Sequence, residues 1–202
     1  MPRTILVVFA HPSYRRSRSG RILAEAVGGL AGCSFHDLYE TYPDGDIDLE
    51  AEKQRLREHD VIVLQHPFYW YSVPPLLKEW IDLVLEFGWA YGPGGEALRG
   101  KGWMAAITTG GGAEAYTRQG PNRYTIRELL APIEQTGRLC GMEWLGPFVV
   151  HGSHRLTDTE LRQHAVDYRR LLEALRDERF DPRRADELTH LNADLDAVVR
   201  EG

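Results

Sequence analysis

Three short stretches of this chain carry residue types that could do chemistry. In the first, His11 is followed by Ser17-Arg18-Ser19-Gly20. Serine hydroxyls and free backbone N–H groups at a helix start, at the positive end of its dipole, hold an anion such as a phosphate. Arg18 adds charge, Gly20 permits close backbone approach, and His11 can donate to the same anion. The same serines also suit plain N-capping, and the histidine a structural role. In the second, Phe68-Tyr69-Trp70-Tyr71 stands between an apolar run and Pro74-Pro75. Four rings in a row are costly to leave in water, so they cover something flat, pack on another subunit or enter the core. In the third, Thr108-Thr109-Gly110-Gly111-Gly112 offers backbone N–H groups to the carbonyl oxygens or ring nitrogens of a planar heterocycle, unless it is only a flexible turn.

The elements that must position these stretches follow from periodicity. Residues 4–9, 61–65 and 103–108 are short, nearly continuous apolar runs, the pattern of strands buried on both faces of a parallel sheet. Residues 34–38 form a weaker strand and 144–151 a fifth. Helical spacing begins near 17–20, and Asp48 can cap a short helix to about residue 59. A long polar and aromatic loop, 39–48, precedes that helix and lies over a binding face. Leu76, Leu77, Trp80, Ile81, Val84 and Leu85 mark an amphipathic helix whose Trp80 side is expected to meet a second subunit. One helix is expected from near Thr125 through Leu139, and Thr157-Asp158-Thr159-Glu160 caps another running to about Arg176.

Alternating strands and helices predict an α/β fold, a three-layer αβα sandwich on a parallel sheet. Each of the three stretches follows a strand, so the fold brings all of them to one sheet edge, where open doubly wound sheets bind ligands. Phe68 and Trp70 would wall a slot for a flat ring system, with 108–111 as its hydrogen-bonding edge. The first loop lacks the Gly-Lys-Ser/Thr of a nucleotide-hydrolysing loop and the Gly-x-Gly-x-x-Gly of dinucleotide folds.

A length of 202 residues with 43% hydrophobic content suits one domain, with a body at 1–176 and an extension at 177–202. From Leu188 onward the extension has the spacing of one thin helix, either docked or frayed. A net charge of -6 argues against general nucleic-acid affinity. Arg3, Arg15, Arg16, Arg18 and Arg21 nevertheless all precede the first acidic residue, Glu25, and form a local basic patch. Two cysteines, Cys33 and Cys140, are too few for a disulfide framework and read as buried thiols. No apolar run is long enough for a signal peptide or a membrane span, which points to the cytoplasm, and no metal cluster is apparent among the histidines.

Together, Ala10-His11-Pro12 with Ser17-x-Ser19, residues 66–82 from His66-Pro67-Phe68 through Trp80-Ile81-Asp82, Gly88-Trp89-Ala90-Tyr91-Gly92 and Thr108-Thr109-Gly110-Gly111 resemble the flavodoxin-like NAD(P)H quinone reductases. The resemblance runs from about residue 4 to 175 and is greatest to the ancillary subunits of glutathione-regulated potassium efflux systems. It implies a five-stranded sheet of order 2-1-3-4-5, a homodimer, and FMN, or FAD as in the larger quinone reductases. It also implies that His11, Ser17, Arg18, Ser19 and Gly20 hold the flavin phosphate. Phe68, Tyr69, Trp70 and Tyr71 would wall the isoalloxazine, and Thr108, Thr109, Gly110 and Gly111 would bind its polar edge. Tyr116 matches a tyrosine linked to hydride transfer in the larger enzymes, but Asn122 stands where their histidine would fall. Tyr116 is therefore expected either in catalysis or in substrate positioning. The activity implied is two-electron reduction of a quinone by NAD(P)H in ping-pong order. The alternatives are a regulatory subunit of a potassium efflux channel, or azo or nitro reduction at the same site.

Overall fold

A computed structural model describes residues 2–200 of the chain. Parallel strands β1 (Ile5–Phe9), β2 (Cys33–Asp37), β3 (Val61–Pro67), β4 (Gly102–Thr108) and β5 (Glu143–Val150) form one five-stranded sheet in the order β2-β1-β3-β4-β5. The connecting helices are α1 (Arg18–Val27), α2 (Leu38–Thr41), α3 (Leu49–Glu58), α4 (Pro75–Val84), α5 (Ile126–Leu129), α6 (Ala131–Leu139) and α7 (Asp158–Arg176). The extension adds α8 (Pro182–Glu187) and α9 (Leu195–Val198).

Side chains alternate across the sheet as a period of two requires. Ile5, Val7, Val61, Val63 and Met104 pack with Leu23 of α1 and Leu171, Leu172 and Leu175 of α7. Leu6, Val8, Ile62, Leu64 and Ile107 pack with Leu56 of α3, Leu77 of α4 and Ile126 of α5. Both faces are covered, which is why the central strands read as unbroken apolar runs. The chain is the expected αβα sandwich. No helix among the described residues is long and apolar enough to cross a membrane.

Five expectations need correction. The helix expected over 125–139 is two helices, α5 and α6, joined at Leu130 (φ −89°, ψ 0°). Pro132 lies in the first turn of α6 and has no N–H to continue the ladder from α5. The restart turns Leu139 outward, to 59% exposure. The loop after β2 opens with α2, because the Asp37 carboxylate accepts from the N–H groups of Tyr39 and Glu40.

Trp80 faces the interior of its own chain rather than a second subunit; it is fully buried and donates its indole N–H to Glu52 Oε2 at 2.8 Å. Glu52 Oε1 accepts from the Tyr42 hydroxyl at 2.7 Å and lies 2.8 Å from His36 Nε2. Burial pushes the Glu52 pKa up, but the hydrogen bonds and charge of His36, with Tyr42 and Trp80, hold it below the ordinary value. The network thus ties β2, the loop after α2, α3 and α4 into one unit.

The extension is docked, and its expected single helix is broken into short pieces. The amide of Asn192 accepts from Val149 N at 2.9 Å and donates to Val149 O at 2.8 Å, so it covers the open edge of β5. Leu191 and Val198 are buried beside it, and Phe180 pairs with Val199. The last two residues of the expected extension, 201–202, and residue 1 lie outside the described residues. The thiols are as expected at Cys140, which is buried, and only partly so at Cys33; burial raises both pKa values to about 11.

Candidate functional site

β1 and β3 lie side by side where the strand order reverses, and β4 follows β3. Their C-terminal ends therefore flank the crevice in which open α/β sheets place ligands. A cleft of about 670 Å³ occupies that place. Of the residues picked from sequence, His11, Ser17, Arg18, Ser19, Phe68, Tyr69, Trp70, Thr108 and Gly110 line it. Gly20, Tyr71, Thr109, Gly111 and Tyr116 do not line it and stand behind it or beside it.

One end is an anion cradle. Ser17 caps α1, its Oγ accepting from Gly20 N at 3.0 Å. A Cβ on residue 20 would lie 2.5 Å from that Oγ, so Gly20 is required by the cap itself. The backbone N–H groups of Arg18 and Ser19 have no acceptor among the described residues and remain available to a ligand. Arg18 is partly engaged elsewhere: its guanidinium donates to Leu156 O and lies 3.7 Å from Asp158 Oδ1. Arg16 also lines the cleft, with no side-chain ion pair among the described residues, and is the freer cation. The basic patch read from sequence is divided, since Arg3 precedes β1, at the opposite end of the strand from the cleft.

His11 is buried at the end of β1. Its Nδ1 accepts from Ser13 N at 3.0 Å, which leaves the proton of the neutral ring on Nε2, 3.4 Å from the Tyr69 hydroxyl. Burial holds its pKa below the ordinary histidine value. His11 therefore presents a neutral N–H donor toward the cleft rather than a positive charge.

The other end is flat. Phe68 is buried at 9% exposure, its N–H donating to Thr108 O at 2.8 Å, which fixes the aromatic turn to β4. Ser72 N donates back to Tyr69 O at 2.9 Å, closing a tight turn with Trp70 at φ 48° and Tyr71 at φ 62°. The turn holds the Trp70 ring out at 92% exposure at the cleft. Tyr71 points elsewhere, packing on Phe68 and donating to Asn122 Oδ1 at 3.1 Å. Thr109 is buried and donates to Gly111 O at 2.7 Å, so its hydroxyl shapes the glycine turn. Tyr116 packs against Phe68 from behind, ring centroids 6.4 Å apart, and burial raises its pKa.

The sequence reading missed Ser13, Pro67, Ser153 and His154 in the cleft lining, and Arg16 except as part of the basic patch. Ser153 and His154 follow β5, and only the pairing of β5 beside β4 brings them to this edge. Ser13 and Pro67 sit inside motifs already noted and could have been found there. The donor set fits a phosphorylated planar group: free N–H groups and a cation at one end, aromatic rings and a glycine edge at the other.

A family model described as flavodoxin-like fold matches residues 3–172. The glutathione-regulated potassium-efflux system ancillary protein KefG of Pectobacterium carotovorum is 48% identical over 167 residues, covering 83% of this chain and 91% of that protein. Its counterpart in Escherichia coli is 44% identical with the same coverage. Among solved structures, general stress protein 14 of Treponema denticola in complex with FMN superposes with a TM-score of 0.80 at 36% identity, covering 85% of this chain and 99% of that one. An NADPH-quinone reductase from P. pentosaceus superposes with a TM-score of 0.77 at 30% identity, covering 84% and 97%.

Proposed function

The chain belongs to the flavodoxin-like fold family, and from that premise we propose that its cleft binds a flavin and that it acts as an NAD(P)H:quinone oxidoreductase. The observation that carries this reading is the union, in one cleft, of the α1 anion cradle and the flat slot between the aromatic turn and Gly110. When bound, the flavin supplies hydride acceptance from NAD(P)H and delivery of two electrons to a quinone or similar flat acceptor. The chain's own residues bind and orient. Arg18 and Ser19 N–H, Ser17, Arg16 and His11 Nε2–H meet the phosphate; Phe68, Tyr69 and Trp70 exclude water from the ring. Thr108 and Gly110 meet its polar edge, with Gly111, Thr109 and Tyr71 bracing the two sides from behind. Tyr116 backs Phe68 and orients the slot. NAD(P)H and acceptor use the slot in turn, a ping-pong order. Azo or nitro compounds would use the same slot.

FMN is the cofactor we favour, as in the Treponema structure. FAD is the second reading because a groove of about 770 Å³, sharing His11, Ser13 and Arg16 with the cleft, leaves room for an adenylyl half. Mass analysis of flavin released by heating separates the two. The catalytic body is residues 1–176, and 177–202 is an appended element. The exposed rings of Tyr69, Trp70 and Tyr71 favour a homodimer that covers them, in the cytoplasm where NAD(P)H is made.

A regulatory reading is favoured by the identity of 44% to 48% with KefG proteins: the chain would act on a potassium efflux channel, with turnover incidental. Replacing Phe68 and Trp70 by Ala distinguishes them. Loss of quinone reduction with channel binding kept supports an enzyme whose channel contact is separate. Loss of neither removes the flavin slot from both readings.

A further inference from the structure

The extension lies outside the segment 3–172 matched by the family, yet it completes a second cavity. Asn192 clamps it to β5, and just before that clamp His190 reaches a space of about 380 Å³ whose other walls include Tyr116, Ile126 and His151. None of the residues lining this space lines the flavin cleft. Its walls are flat: the Tyr116 and His151 rings are 5.4 Å apart at 38°, and the His151 and His190 rings 5.2 Å apart at 81°. Ile126 supplies buried aliphatic surface. Such walls take an aromatic ring.

The polar chemistry of the cavity is set by Thr109. Its hydroxyl proton is engaged by Gly111 O at 2.7 Å, so toward His151 Nδ1, 3.3 Å away, Oγ1 can only accept. The His151 proton therefore sits on Nδ1, and Nε2 is a lone-pair acceptor with no partner among the described residues. Burial, with His190 adding to it, lowers the His151 pKa to about 4 and keeps that lone pair free at neutral pH. A ring-walled space with an unpaired histidine acceptor suits a ring that carries an O–H.

We propose that this cavity binds a small hydroxyaromatic molecule, a phenol or hydroquinone, its ring among Tyr116, His151 and His190 and its O–H donated to His151 Nε2. The site is distinct from the flavin cleft, since no residue lines both, although Tyr116 also backs Phe68 of that cleft. Titration calorimetry of the full chain with 4-methylphenol and with 4-methylanisole, the same ring without O–H, tests it. The phenol binds about tenfold more tightly, the ratio one neutral hydrogen bond supplies. His151→Phe keeps a ring, removes the acceptor and abolishes the preference. His190→Ala, on the surface extension, weakens both ligands without unfolding the body, which circular dichroism verifies. FMN titration of the same samples reports on the cleft separately, so failure of flavin binding leaves this test intact. Equal binding of the two ligands, no binding of 4-methylphenol by folded protein, or a preference that survives His151→Phe overturns the proposal.

Discussion

Trp70 and Tyr71 hold consecutive left-handed backbone conformations, which cost a bulky side chain on the order of 1–2 kcal/mol each. Trp70 gains almost nothing in return from packing, at 92% exposure. Strain kept without a folding benefit marks a residue held for a ligand or a partner. Trp70→Asn, which tolerates this conformation, is expected to raise stability by about 1 kcal/mol in urea unfolding while weakening FMN binding at least about tenfold. Unchanged FMN affinity would remove Trp70 from the slot. His66, beside the turn, is a different case: fully buried, with Nδ1 2.9 Å from Pro67 O and Nε2 unpaired, and its pKa pushed down to about 4 by burial. Between the ordinary 6.5 and about 4 the unfolded chain takes up a proton that the folded chain refuses. Stability therefore falls as pH drops through that window, by on the order of 3 kcal/mol from this group. In His66→Gln the slope of unfolding free energy between pH 6 and 5 should flatten by about 1.4 kcal/mol per pH unit; an unaltered slope contradicts the assignment.

At the scale of elements, two devices fix the site's frame. The Glu52 network binds α3, α4 and β2 together, and Trp80→Phe would leave a buried carboxylate oxygen unpaired. The expected loss is about 1–3 kcal/mol in denaturant unfolding, with FMN affinity unchanged because none of the network's residues lines the cleft. Asn192→Ala should expose the β5 edge and loosen the extension, seen as faster hydrogen exchange at Val149 and in 182–198 with protection kept in β1 and β3. The sheet was legible in the sequence because strands buried on both faces write themselves as continuous apolar runs, and α1, α3 and α7 because Ser17, Asp48 and Thr157 cap them. Trp80 was misread because a helix face shows its hydrophobicity but not what covers it; its partner, Glu52, lies 28 residues away in sequence. The single helix expected of the extension fails for a similar reason, while its docking was one of the two readings left open: Asn192 pairs with an edge strand 43 residues earlier, which no local periodicity records.

At the scale of the whole molecule, the sheet order places three loops, each unremarkable alone, on one edge. An anion cradle and an aromatic slot thereby meet in one cleft, and this meeting is the basis for the flavin assignment. The same topology puts the loop after β5 there too, which explains why Ser153 and His154 escaped a motif-based reading. The measurement that tests the central claim most directly is titration of the purified chain with FMN, read by absorbance and flavin fluorescence, followed by addition of NAD(P)H with and without a quinone. A saturable yellow complex, weakened at least about tenfold by Ser17→Ala together with Arg16→Ala and oxidising NAD(P)H rapidly only when quinone is present, is the predicted result. A folded, colourless protein that binds neither FMN nor FAD would contradict it.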